Sequence, residues 1–234
     1  VLLAPIALNI SGVGFTGMEA APHMLASLLI VLGLWRFLNG GGVAPWLVVA
    51  AIVAPLLRYE GLALCLMAAL VLFARGERRS AAVIALAALG IVASFSLFLM
   101  SIGLPPLPGS ILAKLSGLDA VANFSDRLLI GLILNVKMLA GALLAGLVLF
   151  ALLLAVMFPA LRRGASGWIL FAVVPAAMAH LFFGQIGWMN RYEPYIILSL
   201  LGAILLASSA LEARMRALVR GSACAAVVFG SFVY

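Results

Sequence analysis

The sequence predicts an all-α fold, a polytopic bundle of transmembrane helices, and three observations predict it. Of the 234 residues, 67% are hydrophobic and only 9% are charged, whereas a soluble domain carries about 25% charged residues. The mean hydropathy is +1.31, so too few polar side chains remain to cover a water-facing surface. The apolar residues also form long blocks, as helices that cross a bilayer require. One block, 142–158, lacks the alternation of a transmembrane β-barrel.

The blocks predict about seven spans plus partial spans at both ends, in a single transmembrane domain that covers 1–234. Gly-rich, Pro-rich and charged segments separate them. Three prolines at 105, 106 and 108 exclude a continuing helix there, and the polar stretch 111–127 fits short interfacial helices. The predicted full helices are 18–38, 44–57, 61–74, 80–101, 128–160, 167–184 and 194–212, and the partial spans are 1–10 and 221–234.

The basic residues are unevenly distributed between the two sides of this bundle. When connections are assigned to alternate sides, one side collects nine Arg against two Glu, a net charge of +7. The other side collects five basic and five acidic residues, a net charge of zero. Basic residues concentrate in cytoplasmic loops, so we expect the Arg-rich side in the cytoplasm. We call the neutral side the outer side.

The overall charge and the cysteines exclude two other classes of protein. The formal charge of +7 is explained by cytoplasmic loops, and no basic patch interleaved with aromatic residues indicates nucleic acid. Cys65 and Cys224 both lie in apolar runs, which favours free thiols over a disulfide framework.

Four polar clusters lie on the outer side, where ionisable groups at membrane depth tend to mark sites. Their residues suit anion binding, since Arg and Lys pair with phosphate, whereas each charge alone would also fit an interfacial or paired residue. The clusters are Glu19 with His23, Arg58-Tyr59-Glu60-Gly61, the Pro-rich segment 104–114 that ends at Lys114, and Trp188-Met-Asn-Arg191-Tyr192-Glu193-Pro194-Tyr195.

Glu19 and His23 are four residues apart and share one helix face. A zinc site needs three or four ligands, so we interpret them as a structural pair and predict no metal site.

In their order and sidedness these motifs resemble the polytopic GT-C glycosyltransferases of bacteria, and more closely the branch with arabinofuranosyl- and mannosyltransferase-like members. The resemblance spans about 5–205. That branch reads Ser-Gly-Met-Glu-Thr, Arg-Pro-Glu-Gly and Pro-Asn-Thr-x-x-x-Lys where this chain has Thr16-Gly-Met-Glu19-Ala20, Arg58-Tyr-Glu-Gly61 and Pro108-Gly-Ser-Ile-Leu-Ala-Lys114.

The resemblance implies a multi-pass protein of the bacterial inner membrane that transfers a sugar from a polyprenyl-phosphate donor to a glycan or lipid acceptor of the envelope, on the periplasmic side. Membrane lipid is the other implied partner. No cofactor is required by the motifs, and a divalent cation stays an open alternative. The residues implied to bind substrate or phosphate are Glu19, Arg58, Glu60, Lys114, Arg191 and Glu193.

The family's catalytic residue is an Asp in the first outer loop, and no residue here fits that position. We therefore expect the chain to be part of a longer protein whose catalytic Asp lies upstream of Val1, and we expect the chain alone not to be a competent enzyme. A transporter or lipid flippase, and a non-catalytic subunit of an envelope-assembly complex, remain the alternatives.

Overall fold

A computed structural model describes residues 19–106, 124–184, 186 and 192–232. Every regular element in these ranges is helical, with no β-strand among them, so the all-α prediction is confirmed for this part of the chain. The helices are α1 Ala20–Leu38, α2 Pro45–Leu57, α3 Gly61–Ala74, α4 Arg78–Ser101, α5 Phe124–Lys137, α6 Leu139–Met157, α7 Gly164–Phe183, α8 Pro194–Ala207 and α9 Ala213–Phe232, with 3₁₀ turns at Pro159–Arg162 and Ser208–Ala210.

Four of the described helices, α1, α4, α6 and α7, are long and apolar enough to cross a membrane. The apolar helices α2, α3 and α8 have 13, 14 and 14 residues, fewer than the roughly 17–25 that a span requires. The predicted partial span at 1–10, and the stretch 111–127 up to residue 123, lie outside the described residues.

The core forms around α7, which packs against α1, α3, α5, α6 and α8. Ile169 of α7 is fully buried, as are Ile30 of α1, Leu64 of α3 and Leu200 of α8. By contrast, α4 leaves most of its apolar side chains exposed, including Leu86. The buried apolar side chains of the central helices hold α1, α7 and the α2–α3 connection together.

Hydrogen bonds between α7 and α8 show that the two helices run antiparallel. At one end, Ser166 Oγ donates to the carbonyl of Ala207 at 3.0 Å. At the other end, the hydroxyl of Tyr195 lies 3.2 Å from His180 Nδ1. The second end also contains the start of α1 and the corner between α2 and α3, because both contact Tyr195.

The prediction of one helix over 128–160 is wrong, since α5 ends at Lys137 and α6 begins at Leu139. Met138 between them has extended backbone, with φ −78° and ψ 139°. The break lets Asn135 Nδ2 donate to the carbonyls of Leu181 and Gly184, at 2.8 and 3.0 Å. A neighbouring helix end thereby gains partners for carbonyls that its own backbone cannot satisfy.

The prediction that 213–220 is a charged connection before a partial span is also wrong, because α9 already begins at Ala213. Two of its arginines donate hydrogen bonds to residues that precede the helix. Arg216 Nη2 donates to the carbonyl of Leu211 at 2.9 Å, and Arg220 donates to Ser208 Oγ at 3.0 Å and to the carbonyl of Leu205 at 3.2 Å. Cations near the carboxyl end of α8 are also favoured by its dipole.

Candidate functional site

Residues from two of the sequence-predicted clusters, and His23 from a third, meet at the end of the bundle where α1 and α8 begin. We call this group the polar cluster; it consists of His23, Arg58, Glu60, His180, Tyr192, Glu193 and Tyr195. Tyr192, Glu193 and Tyr195 come from 188–195, a cluster far from Arg58 and Glu60 in sequence.

The corner between α2 and α3 places Arg58 and Glu60. Pro55 lies in the last turn of α2, and Arg58 follows in extended conformation, with φ −156° and ψ 136°. Gly61 then starts α3 where a Cβ would lie 2.8 Å from the Ala54 carbonyl carbon and oxygen and from His23 Nε2. Only a residue without a side chain lets α3 approach both α2 and α1 so closely.

Arg58 is held between a carboxylate and an aromatic ring. Its Nε lies 3.8 Å from Glu60 Oε2, and the two side chains are only 8% and 14% exposed. Its guanidinium carbon lies 4.1 Å from the centroid of the Tyr192 ring, within the range of cation–π attraction. A planar guanidinium suits such a position better than an ammonium, because it can stack and still donate hydrogen bonds in its plane.

Tyr195 connects three parts of the polar cluster. It is 2% exposed, and its hydroxyl donates to the backbone carbonyl of Glu60 at 2.9 Å. Its ring packs on that of His23 with centroids 4.2 Å apart and against the edge of His180 with centroids 5.4 Å apart. The residue therefore ties the α2–α3 corner to α1, α7 and α8.

Glu193 and Glu19, the other two predicted carboxylates that the structure describes, differ in burial. Glu193 is 1% exposed and immediately precedes α8, where the helix dipole favours an anion. Glu19 is half-buried and precedes α1, and its backbone carbonyl accepts a hydrogen bond from the amide of His23 at 3.1 Å.

Lys114 and Arg191 lie outside the described residues, as does Trp188. Their place relative to the polar cluster therefore stays a prediction. The catalytic Asp expected upstream of Val1 is likewise beyond the sequence.

Sequence reasoning missed His180. It lies in the last turn of α7 and is 3% exposed. A usable signal was present, since the chain has only two histidines and a histidine near the end of an apolar helix is a costly residue to bury there. The sequence predicts a pair of His23 with Glu19, and the structure adds a ring contact between His23 and Tyr195, with centroids 4.2 Å apart.

The Tyr59 ring makes an aromatic contact outside the polar cluster. Its ring lies 6.2 Å from that of Phe95, which in turn lies 6.3 Å from Phe98 on the exposed side of α4. Burial raises the pKa of the Tyr59 phenol above its usual value.

Apart from the polar cluster, two other kinds of site come into question in the part of the chain that the structure describes: a metal site and an apolar cavity. Within those residues no group of three or more His, Cys, Asp or Glu side chains is arranged to hold a metal ion. An apolar cavity of about 380 Å³ lies between α6 and α9, away from the polar cluster; among its lining residues are Gly146, Phe150 and Ala223.

Comparison of the chain with protein-family models, curated proteins and solved structures gave no significant match. The function is therefore inferred from the polar cluster and from the motifs that supply its residues.

Proposed function

We propose that the chain is the membrane module of a GT-C type glycosyltransferase, which moves a sugar from a polyprenyl-phosphate donor to a glycan or lipid acceptor of the bacterial envelope. One observation carries the proposal: Arg58, paired with Glu60 of its own motif, lies against Tyr192 of another motif, at a single end of the bundle. Both motifs are among the four whose order resembles this family, so their contact supports a shared role.

The proposal includes a multi-pass topology with about seven spans in the inner membrane. The polar cluster then lies on the periplasmic side, and the Arg-rich ends lie in the cytoplasm. The short helices α2 and α3 count as spans in this scheme, and their charged corner is the outer turn of a membrane-inserted pair. A bilayer can thin locally around short spans at modest cost.

The proposed chemistry assigns the cations to the leaving phosphate. As the glycosidic bond to phosphate breaks, negative charge grows on the phosphate oxygens, and fixed cations stabilise it. We assign this role to Arg58, and we propose that Lys114 and Arg191, which lie outside the described residues, also bind the phosphate. Glu60 and Glu193 orient the arginines or bind the acceptor sugar, and Glu19, which immediately precedes α1, is proposed to bind substrate at the same site.

The acceptor hydroxyl attacks the anomeric carbon and gives its proton to a carboxylate. General-base assistance of this kind contributes about 10²–10⁴-fold to a rate. We propose that the base is an Asp upstream of Val1. The carboxylate of Glu60 is poorly suited to this role because it is already paired with the Arg58 guanidinium, 3.8 Å away.

The test is sugar transfer by the full-length protein in proteoliposomes that contain a radiolabelled polyprenyl-phosphate sugar. Arg58→Gln should lower the rate of transfer about 10²-fold, as expected for loss of one transition-state donor. Arg79→Gln is the matched control. Arg79 is an exposed arginine in the first turn of α4, at the end of the bundle opposite Arg58, and this variant should transfer sugar at the wild-type rate.

Three outcomes would contradict the proposal. Equal rates for wild type and Arg58→Gln would remove Arg58 from the site. Movement of the labelled lipid between leaflets without transfer of its sugar would indicate a flippase. Absence of both transfer and donor binding in the full-length protein would favour a non-catalytic subunit.

A further inference from the structure

The Tyr195 hydroxyl has two described neighbours that constrain where protons lie. It is 2.9 Å from the backbone carbonyl oxygen of Glu60 and 3.2 Å from Nδ1 of His180. A carbonyl oxygen can only accept a hydrogen bond, so the hydroxyl must donate to Glu60. A phenol has one hydrogen and cannot donate again.

The contact with His180 can therefore be a hydrogen bond only if Nδ1 is the donor. Nδ1 must then carry a proton, and the lone pair of the neutral ring lies on Nε2. The two neighbours of the hydroxyl together thus assign a tautomer that the contact with His180 alone would leave open.

Packing holds the three groups in this arrangement. Tyr195 is 2% exposed and His180 is 3% exposed, and the Tyr195 ring is fixed against His23 with centroids 4.2 Å apart. Gly184 follows α7 where a Cβ would lie 2.6 Å from His180 Nδ1. Both rings are thus enclosed by neighbouring groups, which restricts their rotation.

We propose that Tyr195 is a positioning residue: its hydroxyl keeps the proton of His180 on Nδ1 and fixes the Glu60 carbonyl, and thereby the corner that carries Arg58. That this corner receives a donor phosphate rests on the proposed function. The assignment of the proton does not, because it follows from the hydrogen bonds alone.

The first experiment measures the proton directly, by ¹⁵N NMR of the full-length protein in lipid nanodiscs with labelled histidine. His180→Gln assigns the imidazole signals by removing those of His180, since this chain contributes only two histidines, and histidines elsewhere in the full-length protein are replaced beforehand. Wild type should show a protonated Nδ1 on His180, and Tyr195→Phe, which keeps the ring but removes the hydroxyl, should shift this signal toward the other tautomer or an equilibrium of both.

Ser199→Ala is the matched control. Ser199 is a fully buried residue of the same helix, and its hydroxyl donates to the Tyr195 carbonyl at 2.7 Å without reaching His180. It should leave the His180 signals unchanged. An unprotonated Nδ1 in wild type, or identical His180 signals in wild type and Tyr195→Phe, would overturn the proposal.

The second experiment separates this proposal from the proposed function by measuring the binding of a polyprenyl monophosphate to the same nanodiscs. Tyr195→Phe should weaken binding roughly tenfold, because one buried hydrogen bond that holds the corner is lost, while Ser199→Ala should bind within about twofold of wild type. No binding by wild type would refute the proposed function and leave the proton assignment standing. Unchanged binding by Tyr195→Phe would refute the positioning of Arg58.

Discussion

Replacing Gly61 with alanine tests whether the polar cluster depends on close contact between α1, α2 and α3. The added Cβ would lie 2.8 Å from each of three atoms, the carbonyl carbon and oxygen of Ala54 and Nε2 of His23. Two of these atoms belong to the backbone of α2 and cannot rotate aside. The α2–α3 corner must therefore move as a unit, and Arg58 and Glu60 must move with it.

The size of the effect follows from two opposing terms. Overpacking of a well-packed interior costs about 1–3 kcal/mol. Alanine regains at most about 1 kcal/mol of helix propensity, and less at Gly61 because it is the first residue of α3. We expect Gly61→Ala to lower the free energy of unfolding by about 1–2 kcal/mol.

Gly90→Ala is the matched control, since Gly90 lies within α4 and a Cβ there meets no atom within 4 Å. It should stabilise the protein by about 0.5–1 kcal/mol. Unfolding can be followed with a fluorogenic maleimide that reacts with Cys65, which is fully buried, in a Cys224→Ser background. If Gly61→Ala unfolds at the same temperature as Gly90→Ala, the argument from the Ala54 contact is refuted.

Three further predictions use the same purified protein. Asn135→Leu should cost about 1–3 kcal/mol of stability, because it leaves the carbonyls of Leu181 and Gly184 without this donor; a change under about 0.5 kcal/mol would contradict the role of Asn135 at the helix end. Arg220→Ala should lower the unfolding temperature through loss of its bonds to Ser208 and Leu205, whereas Arg79→Ala, at an exposed position, should not. Glu77→Cys and Leu104→Cys, at opposite ends of α4, should label from opposite sides of the membrane with an impermeant maleimide, and labelling from one side alone would refute the topology.

The helices were predictable from sequence wherever an apolar block ended in a strong interruption. The corner Arg58-Tyr59-Glu60-Gly61 ended one predicted helix at 57 and began the next at 61, as the structure has it. The prediction failed at Asn135, because the apolar block continues through it and one amide side chain is a weak local signal. Its effect depends on the carbonyls of Leu181 and Gly184, which no local pattern contains.

The site was predictable as a set of residue types and only partly as a set of contacts. Shared sidedness placed Arg58 and the 188–195 motif at one end of the bundle, and the described part of the chain has Arg58 against Tyr192. Which groups touch depends on helix packing, so the central place of Tyr195 between His23 and His180 could not be derived from spacing.

The pair of Arg58 and Glu60 allows a final prediction that separates a functional charge from a structural one. Both side chains are nearly buried, at 8% and 14% exposed, and their contact of 3.8 Å is long for an ion pair. Removing one partner of a fully buried pair costs about 3–5 kcal/mol, whereas replacing both partners is often neutral or stabilising. Partial exposure reduces these figures, so we expect about 1–3 kcal/mol for each single replacement.

The experiment compares Arg58→Met, Glu60→Gln and the double variant by thermal unfolding and by polyprenyl-phosphate binding. If Arg58 is kept for a ligand, the double variant should be more stable than either single variant, and yet both variants that lack Arg58 should lose binding. The reason is that a neutral pair of similar size removes the desolvation of two charges but offers the phosphate no cation. A double variant that is destabilised by the sum of the single effects, with binding intact, would instead make the pair a structural element of the α2–α3 corner and would leave the proposed site without its central cation.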